Sequence, residues 1–221
     1  GGSVVSNGTL APLVDTADIT NLSKTVTAGV TIWDDKPASG QTFMSGPVIS
    51  KLNAITFQTD NTTLATNTYV IRVGTVSASN IFTEIHSETF TQDFDLAAFD
   101  YVTWTFNLPV TLDPDTLYGV DVALEDSSTN GSSGKPRINL SDSFSADGSF
   151  YMSGAGGVGG SDVDLTYSQY DCLFHLDVTS GLAPLPAITM TATTAVDPSG
   201  VEYLFTCTSG GGNDRGWQDR A

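Results

Sequence analysis

Apolar and polar residues alternate with a period of two along most of the chain, in short runs bounded by Gly, Pro, Asn and Asp, and helix-period spacing is nearly absent. Such alternation marks half-buried strands, because successive side chains point to opposite faces of a sheet. The clearest strands are expected at residues 54–58, 69–73, 101–106, 118–124 and 172–178. In the third, Val102, Trp104 and Phe106 share one face and Tyr101, Thr103 and Thr105 the other, which predicts a core position for Trp104. In the fourth, Tyr118, Val120, Val122 and Leu124 fall together. Pro109 and the turn at Asp113, Pro114 and Asp115 are expected to separate these two strands, since Pro donates nothing to a ladder. One helix-period stretch, residues 93–99, is too short to alter this reading. The chain is therefore expected to be all-β: an antiparallel β-sandwich of jelly-roll type plus a truncated second β module.

The pattern also divides the chain. Residues 1–179 read as the sandwich, 180–186 (SGLAPLP) as a linker, and 187–221 as the opening of another β module. Three polar loops interrupt the sandwich. Residues 33–41 (WDDKPASGQ) combine an aromatic, two acids and a lysine, and residues 125–137 (EDSSTNGSSGKPR) hold two of the basic residues. Residues 142–171 carry the glycine run 154–160 beside Phe150, Tyr151, Tyr167 and Tyr170. A loop of that length inside a compact domain is expected to be functional or mobile.

Composition narrows the function. The 221 residues carry 25 Asp and Glu against 8 Lys and Arg, a formal net charge of −17. Binding nucleic acid takes clustered cations that neutralise phosphates, and anionic membranes attract basic segments, so neither partner is expected. No run of 18 or more apolar residues crosses a bilayer as a helix. With 11 Phe, 7 Tyr and 3 Trp the chain can bury a sizeable core. There is no leader pattern and no initiating Met, which reads as a mature or excised piece, and the low-charge polar surface is that of a secreted, extracellular bacterial β protein. Cys172 and Cys207 pair only if their Cα atoms come within about 7 Å. Their positions in different modules argue against that.

Recognisable enzyme motifs are missing. His86 and His175 are the only histidines and neither has metalloprotease spacing; His175 reads as a structural residue on a strand. The 154–160 glycine run lacks the lysine and following helix that cradle a phosphate, so it reads as a flexible loop. Paired carboxylates of a glycosidase would have to come from Asp34, Asp35, Glu125 and Asp126, which read equally well as solvated loop acids. Structural calcium wants several oxygens at strand ends, and Glu125, Asp126, Asp171 and Asp177, with Asp34 and Asp35 nearby, are the candidate ligands beside the alternative of a generic acidic surface. A saccharide needs an aromatic platform for its C–H face and polar groups for its hydroxyl rim. Trp33 with Asp34, Asp35 and Lys36 meets that requirement, and so does Tyr151 with Lys135 and Arg137; Trp33 reads equally as a core plug.

Several strings carry a family resemblance: KPASGQTF from Lys36, ITFQ from Ile55, YVIRVGT from Tyr69, PDTLYGVD from Pro114 and LFHLD from Leu173. Through them, residues 7–178 resemble a recurrent β-sandwich module of secreted proteins from marine and soil bacteria. Residues 187–219 resemble the first strands of a fibronectin-III-like or immunoglobulin-like module. The resemblance implies a non-catalytic, jelly-roll carbohydrate-binding module beside a catalytic domain in one parent chain that acts on a marine algal polysaccharide. The acidic charge, which repels sulfated and uronate polymers unless Lys36, Lys135 and Arg137 form a local positive site, leans the expected glycan towards a neutral or lightly charged galactan such as agarose. An adhesive module of a surface protein or filament, and an unrecognised polysaccharide hydrolase or lyase, are the alternatives.

Overall fold

The computed structural model describes residues 3–8, 17–22, 28–30, 38–59, 62–96, 99–125, 138–142, 148–154, 159–181, 203–205 and 215–218. The chain forms two compact units, Gly1–Ala183 and Pro184–Ala221. In the second, β14 (Tyr203–Phe205) and β15 (Arg215–Gln218) pair antiparallel.

The first unit is an antiparallel β-sandwich. One five-stranded sheet has the order β1 (Ser3–Gly8), β8 (Tyr101–Leu112), β5 (Ser50–Gln58), β13 (Phe174–Ser180), β2 (Ile19–Thr20). The other runs β11 (Phe150–Ser153), β4 (Ala38–Met44), β9 (Leu117–Leu124), β6 (Thr62–Val76), β7 (Phe82–Leu96). A three-stranded sheet, β12 (Asp171–Cys172), β10 (Ile138–Ser141), β3 (Ala28–Val30), adds to them. Counting β2, β4, β5, β6, β7, β8, β9 and β13 as strands one to eight gives the orders 1-8-3-6 and 2-7-4-5, the connectivity of a jelly roll.

Alternation explains the core. Ile55 and Phe57 of β5, Trp104 of β8, Ile71 and Val73 of β6, and Val120 and Val122 of β9 join one buried cluster that draws on both five-stranded sheets. Trp104 is 1% exposed and meets Phe57 edge-on at 6.2 Å, so its core assignment holds. His175 lies buried on β13, with Nε2 3.5 Å from Asp18. Cys172 is a free, buried thiol; Cys207 lies outside the described residues.

Three local expectations need correction. Pro109 lies within β8 rather than ending it. The ladder steps from Leu52↔Val110 to Ala54↔Thr105, so Phe106 to Pro109 bulge opposite Asn53 and Pro109 has no ladder donor to supply. The strand ends at the predicted turn, where Asp115 takes the left-handed φ of 48° that Asp tolerates. Residues 93–96, read as the start of a helical stretch, belong to β7, because pairing with β6 overrides a weak local period. The 142–171 loop contains strand β11, and its residues 161–164 are tied back through the bridges Ile81↔Asp162 and Met152↔Asp164.

Replacing Trp104 by Ala removes the largest fully buried side chain among the described residues and should cost about 3–5 kcal/mol. Equilibrium urea unfolding of the two proteins measures the loss.

Candidate functional site

The register of the sheets brings the strand ends that flank segments 31–37, 126–137 and 155–158 beside one another. Val30 at the end of β3 pairs with Ile138 at the start of β10. Ala38 at the start of β4 pairs on one side with Ala123, near the end of β9, and on the other with Ser153, the end of β11. The segments 31–37, 126–137 and 155–158 therefore leave from neighbouring strand ends.

Two residues further into these strands lies a row that sequence reading did not identify. Tyr151, Gly40, Asp121, Arg72 and Ser87 are consecutive cross-strand partners on β11, β4, β9, β6 and β7. They face away from the main core, since Val120 and Val122 on either side of Asp121 point into it. Arg72 grips Asp121 with both ends of its fork, Nε to Oδ1 at 2.9 Å and Nη2 to Oδ2 at 2.6 Å. Tyr151 donates its hydroxyl to Asp121 Oδ2 at 2.8 Å. Gly40 between them is required, because a Cβ there would run into the Val120 carbonyl and the Asp121 backbone.

Segment 159–165 covers this row. Arg72 Nη1 donates to the Gly160 carbonyl at 3.0 Å and Nη2 to Ser153 Oγ at 3.3 Å, while its guanidinium lies 4.6 Å from the Phe82 ring centre. Gly159 has a φ of 71° and a Cβ there would strike the guanidinium, so only glycine lets the backbone close over it. Val76, Phe82, Tyr151 and Val163 form a small apolar cluster around the charges. Burial pulls Arg72 towards losing its proton and Asp121 more than offsets that, leaving the guanidinium more basic than usual. Burial pushes the Asp121 carboxyl up, against the pull of Arg72 and Tyr151. Burial, then the charge and hydrogen bond of Asp121, raise the Tyr151 hydroxyl well above its ordinary range.

Of the residues expected to bind sugar, Trp33, Asp34, Asp35, Lys36, Lys135 and Arg137 lie outside the described residues. Tyr151 is not a platform: it is 0% exposed and its hydroxyl is committed to Asp121. Of the expected calcium ligands, Asp126 lies outside the described residues. Glu125 is exposed where β9 ends, and its backbone N–H donates to Thr68. Asp171 is fully buried and accepts from Gln41 Nε2 at 2.8 Å, and exposed Asp177 accepts from Asn53 at 2.9 Å. Among the described residues no three His, Cys, Asp or Glu side chains gather as a cation cage requires. Among them, too, no helix is long and apolar enough to cross a membrane.

No family model matches the sequence, and no curated protein does. One similar solved structure is the clostridial cysteine protease Cwp84 after propeptide cleavage, at 11% identity over 76% of this chain and 41% of that one, with a TM-score of 0.47. Another covers the cysteine protease and lectin-like domains of Cwp84, a surface layer associated protein of Clostridium difficile, at 14% identity over 76% of this chain and 37% of that one, with a TM-score of 0.43. The chain thus corresponds to less than half the length of either.

Truncating one partner of a buried ion pair strands the other, so Arg72→Met and Asp121→Leu should each cost about 3–5 kcal/mol in urea unfolding, and the double variant Arg72→Met/Asp121→Leu clearly less than their sum. Tyr151 is held neutral in the fold, whereas its unfolded form ionises near the ordinary 10.0. Stability should therefore fall as pH rises above about 10, and the fall should be shallower in Tyr151→Phe when unfolding is followed across that range.

Proposed function

We propose that the chain is a non-catalytic carbohydrate-binding module, with its glycan face at the loop end defined by the Val30–Ile138, Ala38–Ala123 and Ala38–Ser153 pairs. The observation that carries this reading is convergence: loops from three separate parts of the sequence, which hold Trp33, Lys36, Lys135 and Arg137, depart from adjacent strand ends. An apolar face, aromatic at Trp33, with hydrogen-bonding side chains around it matches the C–H face and hydroxyl rim of a saccharide. The proposed setting is a secreted, multimodular polysaccharide-degrading protein, in which the module raises the local substrate concentration for a catalytic domain of the same parent chain. A net charge of −17 repels sulfated and uronate polymers, which favours a neutral or lightly charged galactan such as agarose.

Affinity gel electrophoresis against agarose, porphyran, carrageenan, alginate, fucoidan and cellulose tests this. Retardation by agarose with little salt dependence is expected, and Trp33→Ala should weaken it by about 2 kcal/mol or more while the melting temperature holds. Steep weakening by salt would mean an anionic glycan instead. Absence of retardation in every gel overturns the reading. Self-association without glycan binding would then identify an adhesive module, and new reducing ends or unsaturated products on the same polymers an enzyme.

A further inference from the structure

The β8 bulge builds a second surface feature beside edge strand β7, where Thr89 continues the Ser153–Ala38–Ala123–Val70 row across the sheet. Where Phe106 to Pro109 leave the ladder, Asn107, Leu108 and Pro109 stand exposed, and Leu108 at 67% is the most exposed large apolar side chain among the described residues. A bulge of this kind re-aims side chains and is held only where something fixes it. Here Glu88 of β7 fixes it, accepting the Asn107 N–H with Oε1 at 2.9 Å and Oε2 at 3.1 Å. Glu88 Oε1 also meets His86 Nε2 at 3.0 Å, and the His86 ring stands edge-on to Phe106 at 5.3 Å. His86, Glu88, Thr89, Asn107 and Leu108 line an open cleft of about 310 Å³.

Resting on the carbohydrate-binding reading, we propose that this cleft is a glycan subsite for a neutral hexose unit. Leu108 supplies an apolar wall for the C–H face of the ring. The Asn107 amide, the Thr89 hydroxyl and the imidazole surround it with donors and acceptors for hydroxyls. The imidazole and the bulge backbone are already pinned by Glu88, so little ordering is left for the ligand to impose. Both Glu88 oxygens are taken by the bulge N–H and His86, so a carboxylate group stands at the cleft, which disfavours an anionic sugar, and it is too committed to the bulge to act as a free cation seat. The cleft is the size of one or two sugar rings and open enough to admit an internal segment of a chain.

Amide and methyl NMR titration of the whole 221-residue chain with neutral agaro- and cello-oligosaccharides, and with a sulfated carrageenan oligosaccharide as control, reads the site. Saturable shifts are expected at Thr89, Asn107, Leu108 and the His86 ring with a neutral sugar and not with the sulfated one. Leu108→Ala and Asn107→Ala, which both keep the backbone N–H that Glu88 holds, should weaken binding at these resonances about tenfold with an unchanged melting temperature. Binding that Trp33→Ala abolishes and Leu108→Ala leaves intact overturns the subsite and keeps the module. Absence of shifts anywhere with every sugar overturns both, and shifts at the cleft only with the sulfated sugar overturn the stated ligand.

Discussion

A guanidinium and a carboxylate taken out of water on the covered face of a sheet must find partners for every donor and lone pair, and Arg72 and Asp121 impose that demand on the structure around them. The fork of Arg72 spends two donors on Asp121, one on the Gly160 carbonyl and a longer contact on Ser153. Asp121 takes its remaining bond from Tyr151. Each partner fixes a piece of chain. Tyr151 reaches Asp121 only across a residue without a side chain, hence Gly40, and the backbone covers Arg72 only through Gly159. Segment 159–165, part of a polar loop on inspection of the sequence, is thus packed against the sheet by two charges on strands far from it in sequence.

The opposite face of the same sheet solves a milder version of the problem. Gln41 points into the sandwich, where its carboxamide accepts the Cys172 N–H at 2.8 Å and donates to Asp171 at 2.8 Å. Asn139 donates to Gln58 and to the Thr59 carbonyl, and Asn21 to the Cys172 carbonyl. These amides stitch the short strands β10 and β12, whose Ile138, Leu140 and Cys172 join the main core cluster, onto the two large sheets. The buried Cys172 thiol, driven well above its usual range by desolvation, fills space in this seam and is chemically quiet.

Strands whose alternation is clean were legible: residues 54–58, 69–73, 101–106 and 118–124 each lie within a strand, and the apolar face containing Trp104 is the buried one. Pro109 misled because the rule that Pro ends a ladder supposes a regular ladder, and a bulge four residues wide suspends it. Tyr151 misled for a different reason. Its neighbours Phe150 and Met152 face the core, so alternation puts Tyr151 outward, and only the covering segment makes that outer face dry. The same segment hides the signal for the buried pair, although one trace of it was available. Arg72 and Asp121 are single opposite charges in the middle of otherwise uncharged strands, at positions that the β6–β9 register must align before they mean anything.

Charge pairs of this kind are poor stabilisers, since an apolar pair of similar volume avoids the desolvation cost altogether. What they supply is geometry: an apolar cluster tolerates small slips between strands, whereas a bidentate fork with a third and fourth hydrogen bond tolerates almost none. Its position gives that rigidity a use. The row of Tyr151, Gly40, Asp121 and Arg72 lies two residues, about 7 Å, inside the Ser153–Ala38–Ala123 row, which flanks all three of the polar segments. Locking the strands at that depth fixes the spacing of the loop anchors whatever the loops themselves do. On the proposed reading, a rigidly spaced set of loop anchors lowers the ordering cost of presenting a binding surface there. The charges are therefore better understood as a brace for that end than as a source of stability for the fold.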